Sequence, residues 1–390
     1  MQLPHYFNSI GLKAMKLRKS ILSLHRYVGI LAGILLIIIS LTGSLLIFHE
    51  EIDQFLNPQL LRVTPQQEQI SPQNIVEAAQ KLYPNLKTHR ITAPHQADGV
   101  YTVMMVSPQD KSTDVYVNPY TGKILGSRPW EQTVIGFLIT LHVYLFASDI
   151  GGQVVGICGI ILLLMGITGI ILWYRRGRIA QSLIIRWNAP WHLLNYDLHK
   201  VGGILSVVVL SLIAFTGSVM VFWTPVENAV YWLTNTKKPV EVASKVVSGV
   251  SPMGIDAILA KAQAALPEAK IYKFFPAKKP EDTFNVWMHF PQENEFNKDP
   301  YLYFDQYTGD ILRLDNPKQG SLANRIMKAQ YTLHVGHYGG IVTKIVYTLI
   351  GLSPLGLFVT GVILWRNRQW VEARRKASRE LVKKTSSTVG

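Results

Sequence analysis

Apolar residues in this chain gather into four long uncharged runs, at 28–48, 150–174, 201–226 and 345–365. The first holds 21 consecutive positions without a charge, enough to cross a hydrocarbon core of roughly 30 Å at about 1.5 Å per residue. Four such runs predict four membrane-spanning helices. A fifth uncharged stretch, 133–148, has only 16 residues, about 24 Å as a helix, and reads as an interfacial helix that breaks at Gly151-Gly152. Its counterpart before Gly339-Gly340 carries Arg325 and Lys328 and reads the same way.

Between the runs the pattern shortens. Ser71-Pro72 predicts a helix start, a capping hydroxyl followed by proline at the first helical position, with Ile75, Val76, Ala79 and Leu82 as the apolar stripe. Strands are expected at 100–106 and 114–118, then a Tyr120-Thr121-Gly122 turn into Lys123-Ile124-Leu125. The plan recurs with a helix start at Ser251-Pro252, strands at 283–290 and 301–305, and a Tyr307-Thr308-Gly309 turn. Each stretch reads as a small α+β unit.

A formal net charge of +14 raises the possibility of a nucleic-acid partner. Its distribution argues otherwise. Of the 39 Lys and Arg, 18 lie before the first run, in the loop after the second and after the fourth, with only Asp197, Glu372 and Glu380 among them. By the positive-inside rule, both termini and the middle loop are expected in the cytoplasm and the two long loops outside. The first run is too long for a cleaved signal peptide and leads into Glu50-Glu51. The single cysteine, Cys158, and the lack of Cys-x-x-Cys-His exclude covalent haem and thiolate clusters. No G-x-S-x-G, H-E-x-x-H or strand-following G-x-G-x-x-G occurs, so any electron donor is a separate molecule.

The runs also repeat. Leu24-His25-Arg26 to Thr42-Gly43-Ser44 matches Leu198-His199-Lys200 to Thr216-Gly217-Ser218 in register, Leu141-His142 matches Leu333-His334, and Thr168-Gly169 to Leu172-Trp173 matches Thr360-Gly361 to Leu364-Trp365. At about 100° per residue, Gly29, Gly33 and Gly43 share a face with His25, as Gly203 and Gly217 do with His199. Such a groove of small residues suits either close helix packing or a flat macrocycle held by the histidine. Four histidines in two duplicated pairs, His25 with His199 at the inner face and His142 with His334 at the outer, match two axial imidazoles per iron. His49, His337 and His192 are second-tier ligands, and bare zinc or copper at His142, His334 and His337 is the competing metal reading.

These twice-repeated motifs resemble the PepSY-associated transmembrane family over about 25–370, whose better understood members are inner-membrane ferric-siderophore reductases carrying haem b. The resemblance implies axial haem-ligand roles for His25, His199, His142 and His334, about two haem b per chain, a ferric siderophore or other ferric chelate as acceptor, and a quinol, reduced flavin or cytoplasmic reductase as donor. The expected fold is four transmembrane α-helices in two pseudo-twofold repeats with two small α+β, PepSY-like periplasmic domains. In chain order these are a cytoplasmic N-terminus (1–26), a span (27–49), a periplasmic domain (50–130), an interfacial helix (131–149), a span (150–174), a cytoplasmic loop (175–200), a span (201–226), a second periplasmic domain (227–320), an interfacial segment (321–340), a span (341–365) and a cytoplasmic tail (366–390). The expected place is the bacterial inner membrane. Rival readings are a non-enzymatic anchored regulator of peptidases, which has no use for paired histidines, and a small-solute transporter, favoured by the Gly-Gly breaks.

Overall fold

The computed structural model describes residues 3–174, 177–247 and 249–388, with side chains from Met15 to Glu380. Arg175, Arg176 and the side chains of Lys13, Lys383 and Lys384, all counted in the charge reading, lie outside the described residues. In chain order the helices are α1 (Leu3–Leu46), α2 (His49–Leu56), α3 (Pro58–Leu61), α4 (Pro72–Leu82), α5 (Val134–Tyr144), α6 (Ser148–Trp173), α7 (Ile179–Ser182), α8 (Trp191–Val221), α9 (Trp223–Leu233), α10 (Ile255–Ala265), α11 (Leu322–Val335), α12 (Gly340–Gly351) and α13 (Ser353–Thr388). The strands are β1 (Lys87–Thr92), β2 (Tyr101–Val106), β3 (Ser112–Val117), β4 (Ile124–Pro129), β5 (Lys270–Phe275), β6 (Thr283–His289), β7 (Tyr301–Asp305) and β8 (Ile311–Asp315).

The chain forms two compact units. One comprises Met1–Ile47, Leu141–Phe222 and Ile341–Gly390, the other Phe48–Thr140 and Trp223–Gly340. In the helical unit, α6 and α13 each pack against both α1 and α8, so the four long helices close a ring in which α1 and α8 are diagonal. Among the described residues, four helices are long and apolar enough to cross a membrane. They overrun the apolar runs, because helix formation continues where hydropathy ends: α8 starts at Trp191, inside the expected loop 175–200, and stops at Val221 rather than 226. The fourth crossing is divided at Leu352. Pro354 has no N–H to give Ile350, and the Ser353 hydroxyl donates to that carbonyl instead (2.6 Å).

Small residues set the helix contacts. Ser218 Oγ donates to Gly156 O of the neighbouring helix (3.0 Å), and Ser44 Oγ, which donates to Ser40 O of its own helix (2.9 Å), stands 3.4 Å from Thr348 O across the contact. The expected break at Gly151-Gly152 falls elsewhere. Both glycines lie within α6, and the turn precedes them at Leu145, Phe146 and Ser148, all with positive φ. Gly151 is small because a Cβ there would collide with the Tyr144 carbonyl at that turn.

The second unit corrects the expectation of two separate α+β domains. Its strands form one eight-stranded sheet in the order β4-β3-β2-β1-β5-β6-β7-β8, closed at the centre by antiparallel pairing of β1 with β5 (Ile91 with Phe274, Thr92 with Lys273). Helices α4 and α10 meet over it: Gln73 N donates to Asp256 Oδ1 (3.0 Å) and Ile255 N to Gln73 Oε1 (3.0 Å). A single core runs through both halves, with Ile75, Ile91, Val103, Phe274, Ile258 and Val286 all essentially buried. Ser71 caps α4 as expected, its Oγ accepting from Asn74 N (3.3 Å), although Leu82 is half exposed. The helix expected from Ser251-Pro252 starts later, at Ile255 behind Gly254. Both Tyr-Thr-Gly turns form alike: Asn118 Oδ1 accepts from Tyr120 and Thr121 N, Asp305 Oδ1 from Tyr307 and Thr308 N, and Gly122 and Gly309 take positive φ.

Candidate functional site

Diagonal helices bring His25 of α1 and His199 of α8 together at the axis of the four-helix ring. Their ring centroids are 6.5 Å apart with planes at 87°. Both line a cavity of about 510 Å³, within the roughly 300–1,000 Å³ range of cofactor and ligand pockets. Gly29, Gly33, Gly203, Met165 and Phe358 also line it, so the glycine face read from α1 and α8 opens onto the cavity near the histidines.

Two threonines fix the imidazole protons. Thr168 Oγ1 donates to Leu164 O one turn back (2.8 Å), so its oxygen can only accept from His25 Nδ1 (2.8 Å). Thr360 Oγ1 donates to Gly356 O (2.7 Å) and accepts from His199 Nδ1 (2.9 Å). A hydroxyl has one proton, and here a carbonyl holds it. Each ring is thereby assigned as the Nδ1–H tautomer, which leaves the lone pair on Nε2. Gly169 and Gly361, next to the threonines, lie against the Cε1 edges of His25 and His199.

His142 also belongs to the helical unit. Its Nδ1 lies 2.9 Å from Ile39 O, a pure acceptor, so this nitrogen carries the proton and Nε2 again the lone pair. Thr42 Oγ1, which donates to Ile38 O (2.8 Å), lies 3.1 Å from the same Nδ1. Gly43, read from sequence as part of the His25 groove, serves His142: a Cβ there would stand 2.8 Å from His142 Cε1.

The remaining candidates belong to other elements. His334 is on α11, His337 in a short 3-10 turn after it and His49 at the start of α2, all in the sheet-bearing unit. His192 is exposed on the first turn of α8 and does not line the cavity. His95 stacks on Tyr272 (6.1 Å) and His289 faces Asp299 (3.2 Å), which accounts for both without a ligand. Among the described residues no three His, Cys, Asp or Glu side chains gather as a bare ion would require.

The cavity fits a haem on three counts. Metal-bound imidazoles hold their nitrogen about 2.0–2.1 Å from the metal, and with the ring centroid about 1.1 Å further back, two on one iron stand roughly 6.3 Å apart. The observed separation is 6.5 Å. Ligating histidines characteristically donate their second nitrogen to a neighbouring oxygen, and all three here do. The lining is mainly aliphatic, aromatic or glycine, suited to a macrocycle face. The threonines were missed in sequence, though each heads a repeated Thr-Gly-x-x-Leu-Trp motif.

None of the curated proteins matches the chain. The family model described as PepSY-associated TM region matches residues 22–368, from just before His25 to just past the repeated Leu-Trp, and the chain belongs to that family.

Proposed function

We propose that the protein is a di-haem b reductase of the bacterial inner membrane that passes electrons outward to a ferric chelate, with a ferric siderophore as the expected substrate. The observation that carries this reading is the cavity between His25 and His199, whose protons are committed to Thr168 and Thr360 so that both Nε2 lone pairs are available. A haem bound there supplies a one-electron Fe(III)/Fe(II) couple tuned by its axial ligands and burial. His25 and His199 would hold it from diagonal helices. Thr168 and Thr360 keep the rings turned and in one tautomer, and the aliphatic lining excludes water. His142, held on Ile39 O, would be one ligand of the second haem; the sequence repeat of Leu141-His142 as Leu333-His334 is what names His334 as the other.

The same reading treats the chain as two pseudo-twofold repeats. Equivalent contacts support it: Thr168 to His25 and Thr360 to His199, Ser218 to Gly156 O and Ser44 to Thr348 O. It places the Arg- and Lys-rich ends of the helices in the cytoplasm, facing a quinol, reduced flavin or reductase, and the sheet-bearing unit outside. Reduction of the substrate to Fe²⁺ weakens its binding to hard oxygen ligands and releases the metal.

An optical spectrum of the purified protein tests the reading. A Soret band and a pyridine haemochrome corresponding to about two haem b per chain are expected. A colourless preparation from haem-replete cells would leave the non-enzymatic anchor as the better account.

A further inference from the structure

The cavity is lined by apolar and small residues and hydroxyls except around its histidine-bearing end, where Arg26 of α1, Lys200 of α8 and Arg368 of α13 join the lining. Arg26 and Lys200 directly follow the two histidines in sequence, so they sit within a turn of the ligand level. The positive-inside rule accounts for cations at this end of the bundle, but not for three of them in the lining of the cavity itself, where they lose water unless an anion meets them.

The ion pairs at this end leave charge over. Buried Asp197 is shared by Lys200 (3.1 Å) and Arg186 (2.7 Å), and Arg368 pairs with Glu372 (2.7 Å). Arg26, half-buried, has no ion pair within 4 Å among the described residues, although its charge reaches Glu372, and its guanidinium lies 6.0 Å from the Tyr27 ring. Arg26, Lys200 and Arg368 line the cavity against Asp197 and Glu372, and Arg186, outside the lining, takes part of Asp197, so positive charge is left over at the rim. The cations come from three helices of the ring, with α13 packed against both α1 and α8, so they lie on one side of the opening.

The geometry points to this rim as a binding site for two carboxylates of the cavity's occupant: the two propionates of a b-type haem, paired with Arg26, Lys200 and Arg368. The inference rests on the haem reading above. It makes these cations orienting residues, which hold the acidic edge of the macrocycle toward the end of the bundle and send its apolar edge inward. Charge-assisted pairing at a partly desolvated rim is strong enough to set that orientation.

The test is an optical titration of the full-length chain, purified haem-free in detergent and carrying His142→Ala so that the bundle cavity is the only site read. The two probes are haem b and its dimethyl ester, which keeps iron and macrocycle but has no acidic group. Haem is expected to bind about tenfold or more tighter than the ester, with both giving the same bis-imidazole spectrum. Arg26→Gln with Lys200→Gln should bring the two affinities together by weakening haem alone. Equal affinity of haem and ester for the chain with its native rim would overturn the inference while leaving the haem site standing, and that comparison needs no rim variant to fold. Failure of both probes to give a bis-imidazole spectrum would overturn the haem reading and this inference with it.

Discussion

The two units treat matching segments in opposite ways. In the sheet-bearing unit the two αββββ stretches meet and close their seam: β1 pairs with β5, α4 with α10, and Ile91 and Phe274 are buried on either side of the join. In the helical unit the two matching histidine-bearing helices face each other across the ring and leave the seam open, a cavity of about 510 Å³ with glycines where packing residues would stand. The open seam is the observation on which the proposed haem reading rests, since packed interiors leave few voids of this size.

The sharpest way to break this contrast is to fill one seam and empty the other. Phe274→Ala should destabilise the sheet-bearing unit by about 3–5 kcal/mol, the cost of removing a buried phenyl and leaving a cavity, with haem content per folded chain unchanged in pyridine haemochrome assays. Gly33→Leu should do the reverse. A side chain at position 33 drives into the Phe358 ring and pushes it into the cavity, so about one haem per chain should be lost with no drop in thermal stability of the haem-free protein.

A smaller effect is expected from the threonines. Thr168→Val keeps the shape but removes the acceptor from His25 Nδ1, so the tautomer and ring angle are no longer held. Haem affinity should fall by roughly 10–100-fold, the usual consequence of losing such a partner, with a shifted midpoint potential in redox titration. Thr168→Ser, which keeps the hydroxyl, should restore both.

The smallest effect belongs to the sheet-bearing unit. Asp114 of β3 is buried, its Oδ1 has no hydrogen-bond partner among the described residues, and burial pushes its carboxyl up to about 6 against the opposing pull of Arg90 and Arg128. The folded value lies above the unfolded one, so the contribution of this group to stability is full below about pH 4 and is lost as pH rises through about 6. Above that, ionised Asp114 costs on the order of 1–3 kcal/mol. Asp114→Asn should therefore stabilise the unit at pH 8, have little effect at pH 4, and flatten the slope between them in denaturant unfolding.

Much of the fold was legible because the bilayer demands long uncharged runs, and the four crossings appear where those runs lie. The strands at 100–106, 114–118, 283–290 and 301–305 were legible from alternation. The central pair β1 and β5 was not: Lys87–Thr92 and Lys270–Phe275 carry cations on a half-covered face and show no clean period, so the sequence read as two domains where the sheet makes one. At the site, His25 and His199 were legible as a duplicated pair, because a polar ring at the end of an uncharged helix stands out. Thr168 and Thr360 were hidden, since their importance lies in a hydroxyl proton already given to a carbonyl, which only the packed helices reveal.

The central claim is that His25 and His199 hold one haem jointly across the bundle. Haem per chain, measured by pyridine haemochrome in His25→Ala, His199→Ala and the double variant, tests it most directly. Each single substitution should remove the same one haem, and the double should remove no more. A double variant that loses twice what either single loses, or a His25→Ala protein that loses the haem missing from His142→Ala, would contradict it.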